Sequence, residues 1–345
     1  MLTPIGSIPA ATFPTISIII PVYNSERTLR ECLSAIARQE FPKQLVEVIV
    51  VDGGSTDSTL QIAREMPDVK IVSNKLRTGE AGKAVGARMA KNEILAFVDS
   101  DNILDNSRWL QKMTRPFSEP NIVASEPLYF THRLEDPAIT RYCALIGAND
   151  PLTVYIGNYD RYSHLKKRWT EVPVKQKDRG QYLSIELRGA ILPTFGANGF
   201  LVLRKLVQGS GIRSFLFDVD FVQSLTAISG SKIAKVKVGI IHLFASGMNL
   251  FVRKSYRRIR DYSFYASKGA RTYGWGSNSR IKLLKFMLSS FLVVPMVRDA
   301  GRGYREFPDR AWLIHPAACF LILSTYATFL ATRPRVALSM VETSS

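Results

Sequence analysis

Ile94-Leu-Ala-Phe-Val-Asp-Ser-Asp-Asn102 is an apolar strand that runs straight into two carboxylates one residue apart, Asp99 and Asp101. In extended backbone, positions i and i+2 project to one side, so both carboxylates are expected to face a single cation. Hard oxygen ligands of this kind suit Mg2+ or Mn2+ bound together with substrate phosphates. A lone Asp-x-Asp also recurs in surface turns, and the residues upstream decide between the two readings.

Those residues alternate between two periods. Strands are expected over 16–20, 46–51, 69–72 and 94–98, with helices over 27–38, 58–64 and 83–91. The strand runs carry few alternating polar residues, as strands buried on both faces require, so the pattern predicts an α/β fold with a mostly parallel central sheet flanked by helices. Leu29, Cys32, Leu33, Ile36 and Ala37 make the core-facing stripe of the first helix. Asn24 or Ser25 is expected to cap it, and Gly53-Gly54-Ser55 to turn the chain after the second strand. Asn24, Asp52, Gly53 and Asp99 all fall at the carboxyl ends of strands, where open α/β sheets bind ligands.

The 345 residues carry a formal charge of +17 and 46% hydrophobic residues. Residues 251–285 contain ten Lys or Arg against Asp261 alone, a cluster suited to phosphate, whether of nucleic acid or of anionic lipid. The apolar stretches C-terminal to this cluster favour lipid and argue against nucleic acid. Residues 311–331 hold no formal charge and, as a helix, would extend roughly 31 Å, enough to cross a bilayer. A buried core helix is the alternative, because Ser324, Thr325 and Thr328 dilute the hydrophobicity. Residues 283–297, with Lys285 and Pro295, read as an interfacial or re-entrant helix, leaving one or two crossings open. Cys32, Cys143 and Cys319 match no zinc or redox spacing and fit a reducing compartment. Residues 1–14 lack a basic n-region and are broken by Pro4, Pro9 and Pro14, so they do not read as a signal peptide. The expected location is the cell membrane, with the main domain facing the cytoplasm.

Three ordered motifs, Ser17-Ile-Ile-Ile-Pro-Val-Tyr-Asn24, Val50-Val-Asp-Gly-Gly-Ser-Thr-Asp57 and Val98-Asp-Ser-Asp101, resemble the family 2 glycosyltransferases. The resemblance is close over about the first 105 residues and looser to about residue 260. It implies the GT-A fold, a UDP- or GDP-sugar donor, a divalent metal and inversion at the transferred sugar. It also implies that Pro21, Tyr23 and Asn24 frame the nucleotide pocket with Glu26 at its edge, and that Asp52 holds the base or ribose, unless it merely caps the turn. Gly79-Glu-Ala-Gly-Lys83 lacks the spacing of a Walker loop, since Ala84 follows the lysine. In the resemblance this stretch covers the donor. Lys83 and Arg88 are either phosphate contacts or solvated helix charges, and Ser100 joins the donor set.

In the second half, Thr194-Phe-Gly-Ala-Asn-Gly-Phe-Leu-Val-Leu-Arg204 looks like the segment lining the acceptor side, with Gly196, Asn198 and Gly199 as its contacts. Phe217-Asp-Val-Asp220 stands where the family places its catalytic base. Phe217 replaces the family's glutamate, so Asp218 and Asp220 both remain candidates. His242 matches a histidine that completes the metal shell in this fold, although a core or surface histidine is its ordinary role. Asn102 stands where many relatives carry a further aspartate.

The organisation read from these features is an N-terminal extension (1–14), a nucleotide-sugar half (15–130) and an acceptor half of the same domain (131–250). Beyond them lie a basic juxtamembrane segment (251–282), membrane-associated helices (283–331) and a tail (332–345). The expected activity is sugar transfer to a hydroxyl of a lipid-linked glycan or polysaccharide precursor. A polyprenyl-phosphate glycosyltransferase is the alternative, disfavoured because an ionised phosphate needs no base. A catalytically inactive, membrane-tethered scaffold would have lost its metal ligands, and both aspartates stand.

Overall fold

The computed structural model describes residues 13–212, 214–274 and 279–332. Most of the expected N-terminal extension and tail therefore lies outside the described residues. Two compact units divide the chain, one built from Met1–Leu128 and Val174–His242, the other from Tyr129–Pro173 and Leu243–Ser345. Residues 131–173, expected with the acceptor half, thus cluster with the C-terminal helices instead.

The first unit opens with the expected alternation: β1 (Ile16–Val22), α1 (Leu29–Ala37), β2 (Val46–Asp52), α2 (Thr59–Arg64), β3 (Val69–Ser73), α3 (Gly79–Met89) and β4 (Ile94–Phe97). β5 (Asn102–Leu104), α4 (Trp109–Thr114) and β6 (Ile122–Phe130) come next. α5 (Ala138–Ile146) and α6 (Pro151–Ile156) belong to the second unit, after which β7 (Gln176–Asp178), β8 (Tyr182–Glu186), β9 (Phe200–Leu203), α7 (Arg204–Gly209), α8 (Asp218–Ser224) and β10 (Lys232–His242) return to the first. The strand order is β3-β2-β1-β4-β9-β6-β10-β8-β7, with β5 paired to β10.

Among the described pairs, parallel pairing joins β3, β2, β1 and β4. From β4 to β9 onward the described pairs are antiparallel, so the sheet is mixed rather than mostly parallel. Parallel neighbours need a crossover helix, which the sequence supplies only in the first hundred residues. The core of the parallel half is aliphatic: Ile16, Ile18, Ile19, Ile20, Ile49 and Val50 are fully buried.

α3 begins four residues earlier than expected. Thr78 caps it by accepting the Ala81 N–H at 3.2 Å, and Gly82 and Gly86 are packing positions within the helix. A Cβ on Gly82 would stand 2.9 Å from the Pro21 Cβ, and one on Gly86 would collide with the Ile19 side chain. Gly86→Ala gains about 1 kcal/mol of helix propensity. It also forces overpacking worth about 1–3 kcal/mol, so the expected outcome in a urea titration is a net loss of stability, and an unchanged midpoint would contradict this packing.

Asn24 and Ser25 do not supply the expected side-chain cap for α1, whose N-cap is Thr28. Asn24 sits at φ 49° and its Oδ1 accepts the Thr56 N–H at 2.9 Å, joining the end of β1 to the turn after β2.

The second unit is helical. α9 (Met248–Ser267), α10 (Ser279–Leu292), α11 (Val294–Glu306) and α12 (His315–Thr332) pack with α5 and α6 around Tyr142, Phe251, Phe286, Met296, Trp312 and Ile322. Tyr155 Oη donates to Asp299 at 2.6 Å, so the His315 Nε2–H donates to Tyr155 while Nδ1 accepts from Tyr142 Oη at 2.8 Å. Arg310–Thr332 is the one stretch among the described residues long and apolar enough to cross a membrane. Its helix buries His315, Ala318, Cys319, Ile322 and Phe329 along one face, against the unit's own core.

Candidate active site

All the candidate site residues lie in the first unit, and the carboxyl ends of β1, β2 and β4 carry Pro21, Tyr23, Asn24, Glu26, Asp52, Asp99, Ser100 and Asp101. Asp52 closes β2 and accepts the Gly54 N–H at 2.9 Å and the Ser55 N–H at 3.0 Å, which fixes its carboxylate at the strand end. Asn24 N–H donates to Ser55 Oγ at 3.0 Å, and Glu26 accepts the Ser58 N–H at 3.1 Å. Pro21 packs beneath Gly82, while Tyr23 stands half exposed beside them.

β4 ends at Phe97, so Asp99 and Asp101 sit on a turn rather than on extended backbone. That corrects the i, i+2 argument: the turn is closed by Asn102 N–H donating to the Asp99 carbonyl at 2.9 Å, and by Asp99 N–H donating to Asn102 Oδ1 at 3.1 Å. Asn102 then starts β5, opposite His242 at the end of β10. His242 Nε2 comes 3.5 Å from Asp101 Oδ1. Among the described residues no three His, Cys, Asp or Glu side chains form a ready metal cage. Two carboxylates beside an imidazole nevertheless fit a cation that takes its remaining ligands from a diphosphate, as Mg2+ or Mn2+ does.

Ser100, between the two aspartates, donates to Ser25 Oγ at 2.9 Å and ties the turn to the end of β1. Lys83 is neither solvated nor free for phosphate. It is buried, and its Nζ lies 2.5 Å from Asp218 Oδ2 and 3.7 Å from Asp99 Oδ1. Burial alone would lower the ammonium pKa, but the Asp218 and Asp99 carboxylates more than offset it, and the net shift is upward. Asp218 moves up as well, to about 6: burial raises it most, the Lys83 ammonium holds it down, and the Asp99 charge adds to the rise. Asp218 Oδ1 is buried without a hydrogen-bond partner among the described residues.

Asp218 opens α8, and Asp220, two residues on, projects to a different side of the helix. Geometry therefore brings Asp218, and not Asp220, beside Lys83 and Asp99. Arg88 is not brought to the site. It occupies the exposed last turn of α3, about 14 Å along the helix from Gly79 at the site end.

The Gly-Ala-Asn-Gly loop is packed more than presented. A Cβ on Gly196 would stand 2.8 Å from the Asp218 Cβ, and one on Gly199 would stand 2.7 Å from Ile240 and 3.0 Å from Trp109. Asn198, at φ 53°, accepts from Asn102 Nδ2 at 3.1 Å. The loop therefore braces Asp218 and the Asp99–Asp101 turn, whereas the sequence suggested acceptor contacts.

Sequence reasoning missed Asn102 as the clasp between turn and loop, and it missed a buried ion pair. Glu126 and Lys235, both 0% exposed, meet at 2.7 Å, and Glu126 also accepts the Gly196 N–H at 3.0 Å. Part of the signal was present: Glu126 is the lone charge in the apolar β6, whereas Lys235 is one of three lysines in β10. Glu126→Ala strands a buried ammonium and is expected to cost about 3–5 kcal/mol in chemical denaturation. A loss below about 1 kcal/mol would contradict the pairing.

Residues 17–184 match the family model for Glycosyl transferase family 2. An uncharacterized glycosyltransferase of Haemophilus influenzae is 32% identical over 212 residues, covering 57% of this chain and 82% of that protein. Glycosyltransferase AglE of Haloferax volcanii is 31% identical over 138 residues, covering 38% of this chain and 45% of AglE. Poly(ribitol-phosphate) beta-N-acetylglucosaminyltransferase TarS of Staphylococcus aureus is 42% identical over 94 residues, covering 26% of this chain and 16% of TarS. The chain thus spans less than half the length of AglE and TarS. These similarities are all to glycosyltransferases, and the fold is a mixed, helix-flanked α/β sheet. Within that class, the chain belongs to glycosyltransferase family 2.

Proposed function

We propose that the chain transfers a sugar, with inversion, from a UDP- or GDP-sugar to a hydroxyl of a lipid-linked glycan or polysaccharide precursor. The observation that carries this reading is Asp218: a part-buried carboxylate with Oδ2 held by Lys83 and Oδ1 without a partner among the described residues. A sugar hydroxyl is a poor nucleophile and needs such a base. A phosphate acceptor is already ionised, needs no proton removed, and would meet repulsion from Asp218.

In this reading the Asp218 carboxylate takes the acceptor proton as the hydroxyl attacks the anomeric carbon from the face opposite the diphosphate. Lys83 holds Oδ2 and keeps the carboxylate aimed. Asp52 and Asn24, fixed by the turn after β2, meet the nucleoside, with Pro21, Tyr23, Glu26, Gly79 and Ser100 around it. Gly196, Asn198 and Gly199 hold the acceptor side in shape. A divalent cation, bound by Asp99 and Asp101 with His242 beside them, would neutralise charge on the departing diphosphate. The basic α9 and the apolar α10 and α12 support a membrane-borne acceptor on the cytoplasmic face, and the similar TarS is, by its name, a poly(ribitol-phosphate) N-acetylglucosaminyltransferase.

The base must be ionised to act, and its pKa lies above that of an ordinary aspartate. Transfer is therefore expected to fall as pH drops through about 6, approaching tenfold per unit below it. A profile flat across that range would contradict Asp218 as base. The reading as a whole is tested by incubating purified protein, Mn2+ and membrane lipid extract with a panel of nucleotide sugars. Sugar incorporation into the lipid fraction is the expected result, and none from any donor would overturn it.

A further inference from the structure

α10 carries an apolar face where water should favour a polar one. Ile281, Leu284, Leu288, Phe291 and Leu292 are exposed along it, while Phe286 and Ser290 on the other side are buried. The stripe ends at the corner into α11, where Phe291 is 77% exposed and Val294 is 75% exposed. Val293 between them holds φ 60°, a conformation that β-branched residues rarely adopt. The strain keeps four consecutive apolar side chains at the tip.

Charge then changes in step with distance from that tip. On α11 the exposed face passes from Val294 and Val297 to Arg298, Arg302 and Arg305, with a half-exposed Tyr304 among them. On α10 Lys285 is exposed, while Lys282 is paired with Glu171. Measured along each helix, Lys285 stands about 9 Å from Phe291 and Arg298 about 6 Å from Val294. An apolar tip of that depth below a basic collar matches interfacial elements, which sink about 5–10 Å into the headgroup–acyl boundary.

We infer that the α10–α11 corner is a membrane-docking surface that inserts Phe291, Leu292 and Val294 into an anionic bilayer, with Lys285 and Arg298 at the level of the lipid phosphates. Contiguous exposed apolar patches need a partner, and the collar selects which one. A second copy docking through the same two-fold patch would set these cations against themselves; anionic headgroups neutralise them. Docking here needs no helix to cross the membrane and leaves α12 with its buried face on the protein. The inference deepens the proposed membrane location but uses none of the active-site residues.

The test is flotation of the full-length chain with phosphatidylcholine vesicles, with and without phosphatidylglycerol, alongside Phe291→Asp/Val294→Asp. Wild type is expected to float with the anionic vesicles, and the double variant to lose at least about tenfold in partitioning. Phe291→Cys carrying an environment-sensitive dye should shift to the blue on anionic vesicles. Nucleotide-sugar hydrolysis measured without vesicles should be the same in the double variant, which shows that it is folded and separates this test from that of the catalytic reading. Unchanged flotation of the double variant, or a dye that stays in water while the protein floats, would overturn the proposal. A lipid-free dimer dissolved by the double substitution would also overturn it, in favour of a self-association surface.

Discussion

Asp218→Asn is expected to leave nucleotide-sugar binding close to wild type and to reduce transfer by about 10²- to 10⁴-fold, the usual contribution of a positioned base. Asparagine keeps the shape of the side chain and can still accept from Lys83 at the Oδ2 position, where the wild-type contact is 2.5 Å. Asp99, 3.7 Å from Lys83, still partners the buried ammonium, so the fold need not fail with the chemistry. What asparagine lacks is the basicity of the carboxylate. Single-turnover transfer alongside donor titration separates the two effects. Wild-type turnover in this variant would remove Asp218 from the reaction and return the role to Asp220.

Asp101→Ala is expected to act one step earlier. The carboxylate is 3.5 Å from His242 and shares its turn with Asp99, so its loss halves the negative charge available to a cation and leaves His242 beside a gap. Metal-dependent donor binding should weaken by at least about 100-fold, with turnover lost in proportion, because charge neutralisation at the diphosphate is worth several kcal/mol. Titrating donor into the variant at fixed Mn2+ reads this directly. Unaltered donor affinity and turnover would place the cation elsewhere.

The parallel half was legible because burial on both faces writes itself plainly: the runs at 16–20, 46–51 and 94–97 are almost unbroken aliphatic sequence, and the structure makes each a strand. The site's strand-end positions came from the same alternation. The contacts that brace the site did not. Asn102 meets Asn198 across 96 positions, and Lys83 meets Asp218 across 135. Local pattern carries no trace of such pairs, and a lysine on a glycine-rich helix looks solvated until the neighbouring chain covers it. Gly79 and Gly82 hid the start of α3 for a related reason: glycine signals a loop locally, whereas here Gly82 lets the helix lie against Pro21. Asp52 and Asn24 were seen as strand-end residues, but the hydrogen bonds that fix them depend on two turns meeting. α10 was recognised as apolar, yet only its packing reveals which side chains remain exposed.

The central claim is that Asp99 and Asp101 hold a cation through which the donor diphosphate binds. Isothermal titration of the purified full-length chain with UDP- and GDP-sugars, with Mn2+ and then with chelator, tests it most directly. Saturable uptake of at least one donor with Mn2+, abolished by chelator and by Asp101→Ala, is the result this account predicts. Donor binding that is indifferent to metal and to the substitution, or no binding of any donor, would contradict it.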